Sequence, residues 1–265
     1  MLRFLSLLTL LLPLCLPASG ARPLRIALVQ CHPPGTEVAA TLDALEGRIL
    51  RRCRRADLIV LPELFATGCR MTRDGIGFSR AEAAPCYDTI RTRMSRWAAR
   101  TGATVIGSAV FFDGERYYNR LIAAHPDGGF SHYDKHNVFK RGGFTPGEER
   151  LTLCCRGVRV VPMICYDLRF GQWSRRSDTA DYDLLLYIAA WPASRRDEWE
   201  RLLRERAIEN GTCTVGVGFC GTDANGFPFA GASQALLPDG KRRCRAGDRS
   251  RIRTVRLPVG TPKSR

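Results

Sequence analysis

The sequence predicts an α/β layered domain built around mixed sheet. Short apolar runs of strand length alternate with amphipathic stripes of helix length. Asp-Gly and Asn-Gly pairs separate several of the runs, where antiparallel hairpins turn. No linker divides the 265 residues, which suffice for one large domain with its own core. The chain is 45% hydrophobic and carries no short-period repeat, which excludes disordered and solenoid classes.

Taken in order, LRIALVQ (24–30) reads as a buried strand. EVAATLDALEGRILRRC (37–53) then sets Val38, Leu42, Leu45, Ile49 and Cys53 on one helical stripe. ADLIVLPE (56–63) is a second buried strand, ending on Pro62-Glu63. A helix is expected around 84–101, followed by the strand ATVIGSAVFF (103–112) and a turn at Asp113-Gly114. YYNRLIAAHP (117–126), a turn at Asp127-Gly128 and FSHYDK (130–135) lead into the loop GGFTPGEE (142–149). The strand GVRVVPMIC (157–165), a helix from about Leu168 and the strand DLLLYIAA (183–190) come next.

Ser194 and Asp197 fit a capping box for a helix that runs to about Asn210. The remainder is strand-rich: TCTVGVGFC, a turn at Asn225-Gly226, FAGASQALLP, a turn at Asp239-Gly240, and RIRTVRL.

Residues 1–22 are set apart from the domain at 23–265. Their basic start, apolar run from Phe4 to Leu16 and small residues Ala18 to Ala21 follow the layout of a secretory signal peptide. A start codon placed too far upstream gives the same appearance. The run is too short for a stable membrane span. A signal peptide would send the protein out of the cytoplasm, whereas a thiol chemistry of the kind described below favours staying inside it.

The net charge is +15, concentrated in RILRRCRR (48–55), in Arg91 to Arg100 and in KRRCRAGDRSRIR (241–253). These clusters interleave with apolar residues at helix or strand spacing and read as solvated faces. No helix-turn-helix, zinc-finger or RRM pattern accompanies them, so nucleic acid is not expected as a partner. The eleven cysteines are odd in number and contain no CxxC pair. With the four histidines they show no zinc-ligand spacing, so no metal site is expected. Most of the thiols read as small buried hydrophobes.

One cysteine differs. In VPMICYDLRF (161–170) an apolar strand stops at Cys165, with Asp167 placed to cap the following turn and Arg169 adding charge. Backbone N–H groups and a helix dipole there would favour a thiolate. Glu63 closes another apolar run, where a desolvated carboxyl suits a general base. Lys135 closes FSHYDK.

The three segments LPELFATG, YDKHNVF and VPMICYDLRF, in this order and at these separations, resemble the nitrilase superfamily of carbon–nitrogen hydrolases. The resemblance runs from Leu24 to about Val255. CYDLRF followed by WSRR, YDLLLYIAAWPASR and LLRERAIEN are similar to the bacterial omega-amidase branch. The resemblance implies a four-layer αββα sandwich with mixed sheets, commonly paired into homodimers.

It also implies a triad: Cys165 as nucleophile, Glu63 as general base and acid, and Lys135 as oxyanion stabiliser together with the Tyr166 N–H. Neither a metal nor an organic cofactor is implied. The expected reactants are water and a short amide carrying a distant carboxylate, such as 2-oxoglutaramate. Tyr166, Arg169 and Trp191 are the candidate substrate contacts; a salt bridge at Arg169 and a core role for Trp191 are the competing readings.

The sequence departs from the family pattern in places. Members usually carry another glutamate in the loop after the lysine, whereas 136–147 here contains no acid; Glu148 and Glu149 are the nearest. Asn210-Gly211 stands where Asn-Gln is usual, and Gly218-Phe219 where Asn-Arg is usual. These changes bear on substrate choice. A nitrilase or an N-carbamoyl hydrolase would use the same triad. A reading from a different class is a catalytically weakened member that binds partners or RNA through its arginine-rich faces.

Overall fold

A computed structural model describes residues 23–259, apart from 36, 70, 73–74, 77–79, 140–142 and 178–180. The expectation for residues 1–22 lies outside the described residues. In chain order the first half runs β1 (Leu24–Gln30), α1 (Val38–Arg52), β2 (Leu58–Val60), β3 (Met71–Thr72), β4 (Gly75–Ile76), α2 (Arg80–Ala83), α3 (Tyr87–Thr101), β5 (Thr104–Phe112), β6 (Tyr117–Ala124) and β7 (Phe130–Asp134). The second half runs β8 (Leu153–Cys155), β9 (Val158–Ile164), α4 (Gly171–Ser174), β10 (Leu184–Ala189), α5 (Arg196–Asn210), β11 (Cys213–Gly218), β12 (Cys220–Thr222), β13 (Pro228–Ala230), β14 (Gln234–Leu236), β15 (Arg242–Arg245) and β16 (Arg251–Leu257).

Two six-stranded sheets result, ordered β16-β1-β2-β5-β6-β7 and β15-β14-β11-β10-β9-β8. In each, three central strands are parallel and the flanking strands antiparallel. The period-two alternation of β1 shows how the layers form. Ile26 and Leu28 join Val160, Leu186 and Val215 in a core between the sheets. Ala27 and Val29 point the other way, to Leu42 and Ile49 of α1 and Trp97 of α3. On the far side, Val161, Leu185 and Tyr187 pack on Trp199 and Leu203 of α5. The order is therefore helix, sheet, sheet, helix. Each fully buried aliphatic side chain in these layers contributes about 1.5–3 kcal/mol.

Several expectations need correction. The helix expected from about Leu168 is instead a five-residue 3-10 turn, Cys165–Arg169, followed by the one-turn α4. Phe170 separates them with φ −108° and ψ 82°, which no helix continues through. The capping box at Ser194 and Asp197 does not form. A 3-10 turn at Ala193–Arg195 leads into α5, whose N-cap is Arg195, with no side-chain cap. β2 is shorter than ADLIVLPE; Leu61 still donates to Ile106, but Pro62 has no N–H with which to continue.

The basic clusters are partly spent within the fold. Arg93, Arg96 and Arg100 of α3 converge on Glu46 of α1, and Arg242 and Arg245 on Glu200. No helix among the described residues is long and apolar enough to cross a membrane.

Candidate active site

Glu63 sits three residues past the end of β2, only 3% exposed. The chain turns immediately after it through Leu64, whose φ is 48° and whose N–H donates to Ser108 Oγ at 2.8 Å. A carboxylate this buried needs donors on both oxygens. Oε1 receives Lys135 Nζ at 2.7 Å and Asn119 Nδ2 at 2.8 Å. Oε2 receives the Ala190 N–H at 3.0 Å. Lys135 follows β7, is 6% exposed, and is tied to β6 by its own N–H to the Asn119 carbonyl at 3.0 Å. Glu63 and Lys135 belong to the first sheet and Ala190 to the end of β10 in the second. The site therefore straddles the seam between the sheets.

Cys165 reaches the same place from β9. Its residue is half-buried and its backbone left-handed, with φ 45°. A non-glycine residue there costs roughly 1–2 kcal/mol. Asp167 accepts the Ile164 N–H at 3.0 Å, as expected of the residue capping this turn. Burial first, then the Glu63 carboxylate, push the Cys165 thiol well up, against the pull of Lys135 and the Ala190 N–H. Desolvation thus opposes the thiolate that the turn's N–H groups would favour, and the thiol lies beside a carboxylate that can serve as its base. Burial works against the charge of Lys135, but Glu63, Cys165 and Asp167 together hold its pKa above the ordinary value.

The structure thus brings Glu63, Lys135 and Cys165 together. Tyr166 is the second residue of the 3-10 turn, where a first-turn N–H has no intrahelical partner. Arg169 donates to Glu198 at 2.8 Å, so its salt bridge is to α5 and not to Asp167. Its guanidinium lies over the rings of Tyr166 and Trp191, at 5.4 and 5.2 Å. Trp191 is buried, donates to the Arg195 carbonyl at 2.8 Å and packs on Trp199 at 5.4 Å between ring centres. Glu148 and Glu149 are exposed, unlike Glu63 and Lys135.

The departures near the later strands have local reasons. Gly211 closes α5 with φ 53°, and Asn210 accepts the Arg176 N–H at 2.9 Å. Phe219 is buried against Phe229.

Asn119 was not anticipated, nor was the Ala190 N–H. The only signal for Asn119 is a polar residue inside a strand run. Cys69 was passed over as well. It is buried close enough to the triad that Glu63 and Cys165 add to the effect of burial in raising its thiol pKa. Among the described residues, no group of three or more His, Cys, Asp and Glu is placed to hold a metal ion.

The model of the carbon-nitrogen hydrolase family matches residues 25–262. The omega-amidase YafV of Yersinia enterocolitica is 38% identical over 192 residues, 71% of this chain and 72% of that protein. XC1258 from Xanthomonas campestris, a CN-hydrolase superfamily protein solved with an arsenic adduct in its active site, superposes with a TM-score of 0.83 at 31% identity, covering 89% of this chain and 91% of its own. A mutant of the amidase from Nesterenkonia sp. AN1, which shows Michael addition of acrylamide at the active-site cysteine, gives 0.77 at 25% identity over 89% of this chain and 93% of its own. With the fold, the buried acid and base and the family match in agreement, this chain belongs to the carbon–nitrogen hydrolase family and is an enzyme of that class.

Proposed function

We propose that the protein is a cysteine-dependent amidase that hydrolyses a small linear omega-amide to a carboxylic acid and ammonia through a thioester on Cys165. The observation that carries this reading is the Lys135–Glu63 contact at 2.7 Å beside the Cys165 thiol. Oε1 of Glu63 is already taken by two donors, so Oε2 is the oxygen left to act as base.

In the first half-reaction Oε2 accepts the thiol proton as sulfur attacks the amide carbon. The oxyanion forms against the Lys135 ammonium and the Tyr166 N–H. Collapse breaks the carbon–nitrogen bond, Glu63 returns its proton to the leaving nitrogen, and ammonia departs. In the second, Glu63 takes a proton from water, the hydroxide adds to the thioester, and collapse expels sulfur, which recovers the proton. The sum is amide plus water to acid plus ammonia.

The resemblance to omega-amidases supports a substrate with a distant carboxylate, for which Arg169 is the cation in reach of Tyr166 and Trp191. The homodimer belongs to the same reading. Ammonia release from 2-oxoglutaramate and succinamate, with Cys165→Ala as control, tests it. Turnover that Cys165→Ala abolishes is expected. A panel in which only nitriles or N-carbamoyl amino acids react would move the assignment within the family, and turnover surviving Cys165→Ala would overturn it.

A further inference from the structure

Lys135 and Cys165 lie thirty positions apart in sequence, and each is flanked by residues that bind the same buried carboxylate. Asp167 is fully buried and accepts four hydrogen bonds. Oδ1 takes the backbone N–H and the Nδ2 of Asn137, at 2.8 and 3.0 Å. Oδ2 takes the Tyr133 hydroxyl at 2.8 Å and the Ile164 N–H at 3.0 Å. Ile164 immediately precedes Cys165, while Tyr133 and Asn137 stand two residues before and two after Lys135. The Tyr133 oxygen is itself a hub. It accepts the His136 N–H and the Trp173 Nε1–H, both at 3.1 Å, and the His136 ring stacks on Trp173 at 3.6 Å. Both side-chain oxygens of Asp167 therefore bind the lysine segment, and one of them also binds the cysteine turn.

We infer that Asp167, acting with Tyr133, is a positioning residue for amide hydrolysis: it sets the separation of the Lys135 ammonium and the Cys165 sulfur and holds Cys165 in its left-handed conformation. Three facts favour this over a purely structural role. First, the bonds fall on the neighbours of the two catalytic candidates and not on remote parts of the fold. Second, Cys165 adopts a backbone conformation that a cysteine does not choose unaided, and the Asp167–Ile164 bond closes that very turn. Third, a buried carboxylate is a costly way to join two segments unless its geometry is used, because removing any one donor leaves part of its charge unanswered. Asp167 touches no reacting atom in this scheme. It acts through the lysine and the sulfur, whose alignment matters most when the oxyanion forms.

The inference rests on the proposed roles of Cys165 and Lys135. Its test compares wild type with Tyr133→Phe, which keeps the ring and removes one donor, and with Asp167→Asn. Turnover is expressed per mole of folded protein, taken from the amplitude of the cooperative unfolding transition, so that misfolded protein is not counted. Tyr133→Phe should lower kcat about tenfold, as expected for a lost buried hydrogen bond, with KM within twofold. Asp167→Asn should lower kcat about a hundredfold, as expected for a misplacement of the order of an ångström. The double variant should cost little more than Asp167→Asn alone, because the two act as a unit. A fall in Tm with kcat per folded molecule unchanged in Tyr133→Phe would reduce the pair to structural support and overturn the inference. Turnover surviving Cys165→Ala would overturn the proposed function and this inference together, and that variant alone distinguishes the case.

Discussion

Glu63 and Cys165 come from turns at the ends of parallel strands, one in each sheet. Each follows a central parallel strand, and each lies at a turn that passes through left-handed backbone at a non-glycine residue, Leu64 with φ 48° and Cys165 with φ 45°. The means of holding them differ. Glu63 is gripped directly, with Lys135 and Asn119 on one oxygen and the Ala190 N–H on the other. Cys165 owes its place to its left-handed backbone and to the Asp167–Ile164 bond that closes its turn. The difference teaches that a buried charge fixes its own surroundings, whereas a nucleophile at the start of a turn is placed by its neighbours.

The strongest break in this comparison is Glu63→Ala. It should abolish amide turnover and leave the Lys135 ammonium buried without its partner, at a cost of about 3–5 kcal/mol in urea unfolding. Glu63→Gln, which preserves volume, should lose turnover to a similar degree while sparing more of the stability. Equal stability losses in the two variants would mean that the carboxylate is not what holds the lysine.

A smaller effect is expected at Asn119, whose amide shares Oε1 with Lys135. Asn119→Leu should lower kcat/KM about tenfold, in line with a hydrogen bond to a charged group. An unchanged kcat/KM with a lowered Tm would assign Asn119 to packing alone.

The mildest prediction concerns thiols with no part in the site. Burial pushes Cys31 and Cys53 from the usual 9.0 up to about 12. Between those values the unfolded chain gives up protons that the native chain keeps, so stability is full below pH 9 and falls as pH rises above it. Denaturant unfolding from pH 7 to 10.5 should show a loss of about 1 kcal/mol per pH unit per thiol above the onset. Cys31→Ala with Cys53→Ala should flatten that slope, and an unaltered slope would point elsewhere.

Glu63 and Cys165 stand out in the sequence because each closes an apolar run, where patterning is most informative. Lys135 closes FSHYDK, which is not apolar, and joins them only through the resemblance. Asn119 does not stand out. It lies among Tyr117, Tyr118 and Arg120 in β6, and it meets Glu63 only because β6 sits two strands from β2 across β5. The Ala190 contact is made by backbone, which no side-chain pattern announces. The stretch after Cys165 reads as a helix because DLRFGQWS is compatible with one, and the break at Phe170 that interrupts it is a property of the packed turn. The four-layer order came from the resemblance; alternation in β1 alone shows two buried faces without saying what covers each.

The pairing of Lys135 and Asn119 on a single carboxylate oxygen has a kinetic corollary. Ammonia on its way out and water on its way in must use one berth, one after the other, with the acyl group parked on sulfur in between. Such an enzyme runs as a ping-pong catalyst, and its acyl intermediate is open to any small nucleophile that fits where water does. Hydroxylamine, similar in size to water and a better nucleophile, would divert the acyl group to a hydroxamate.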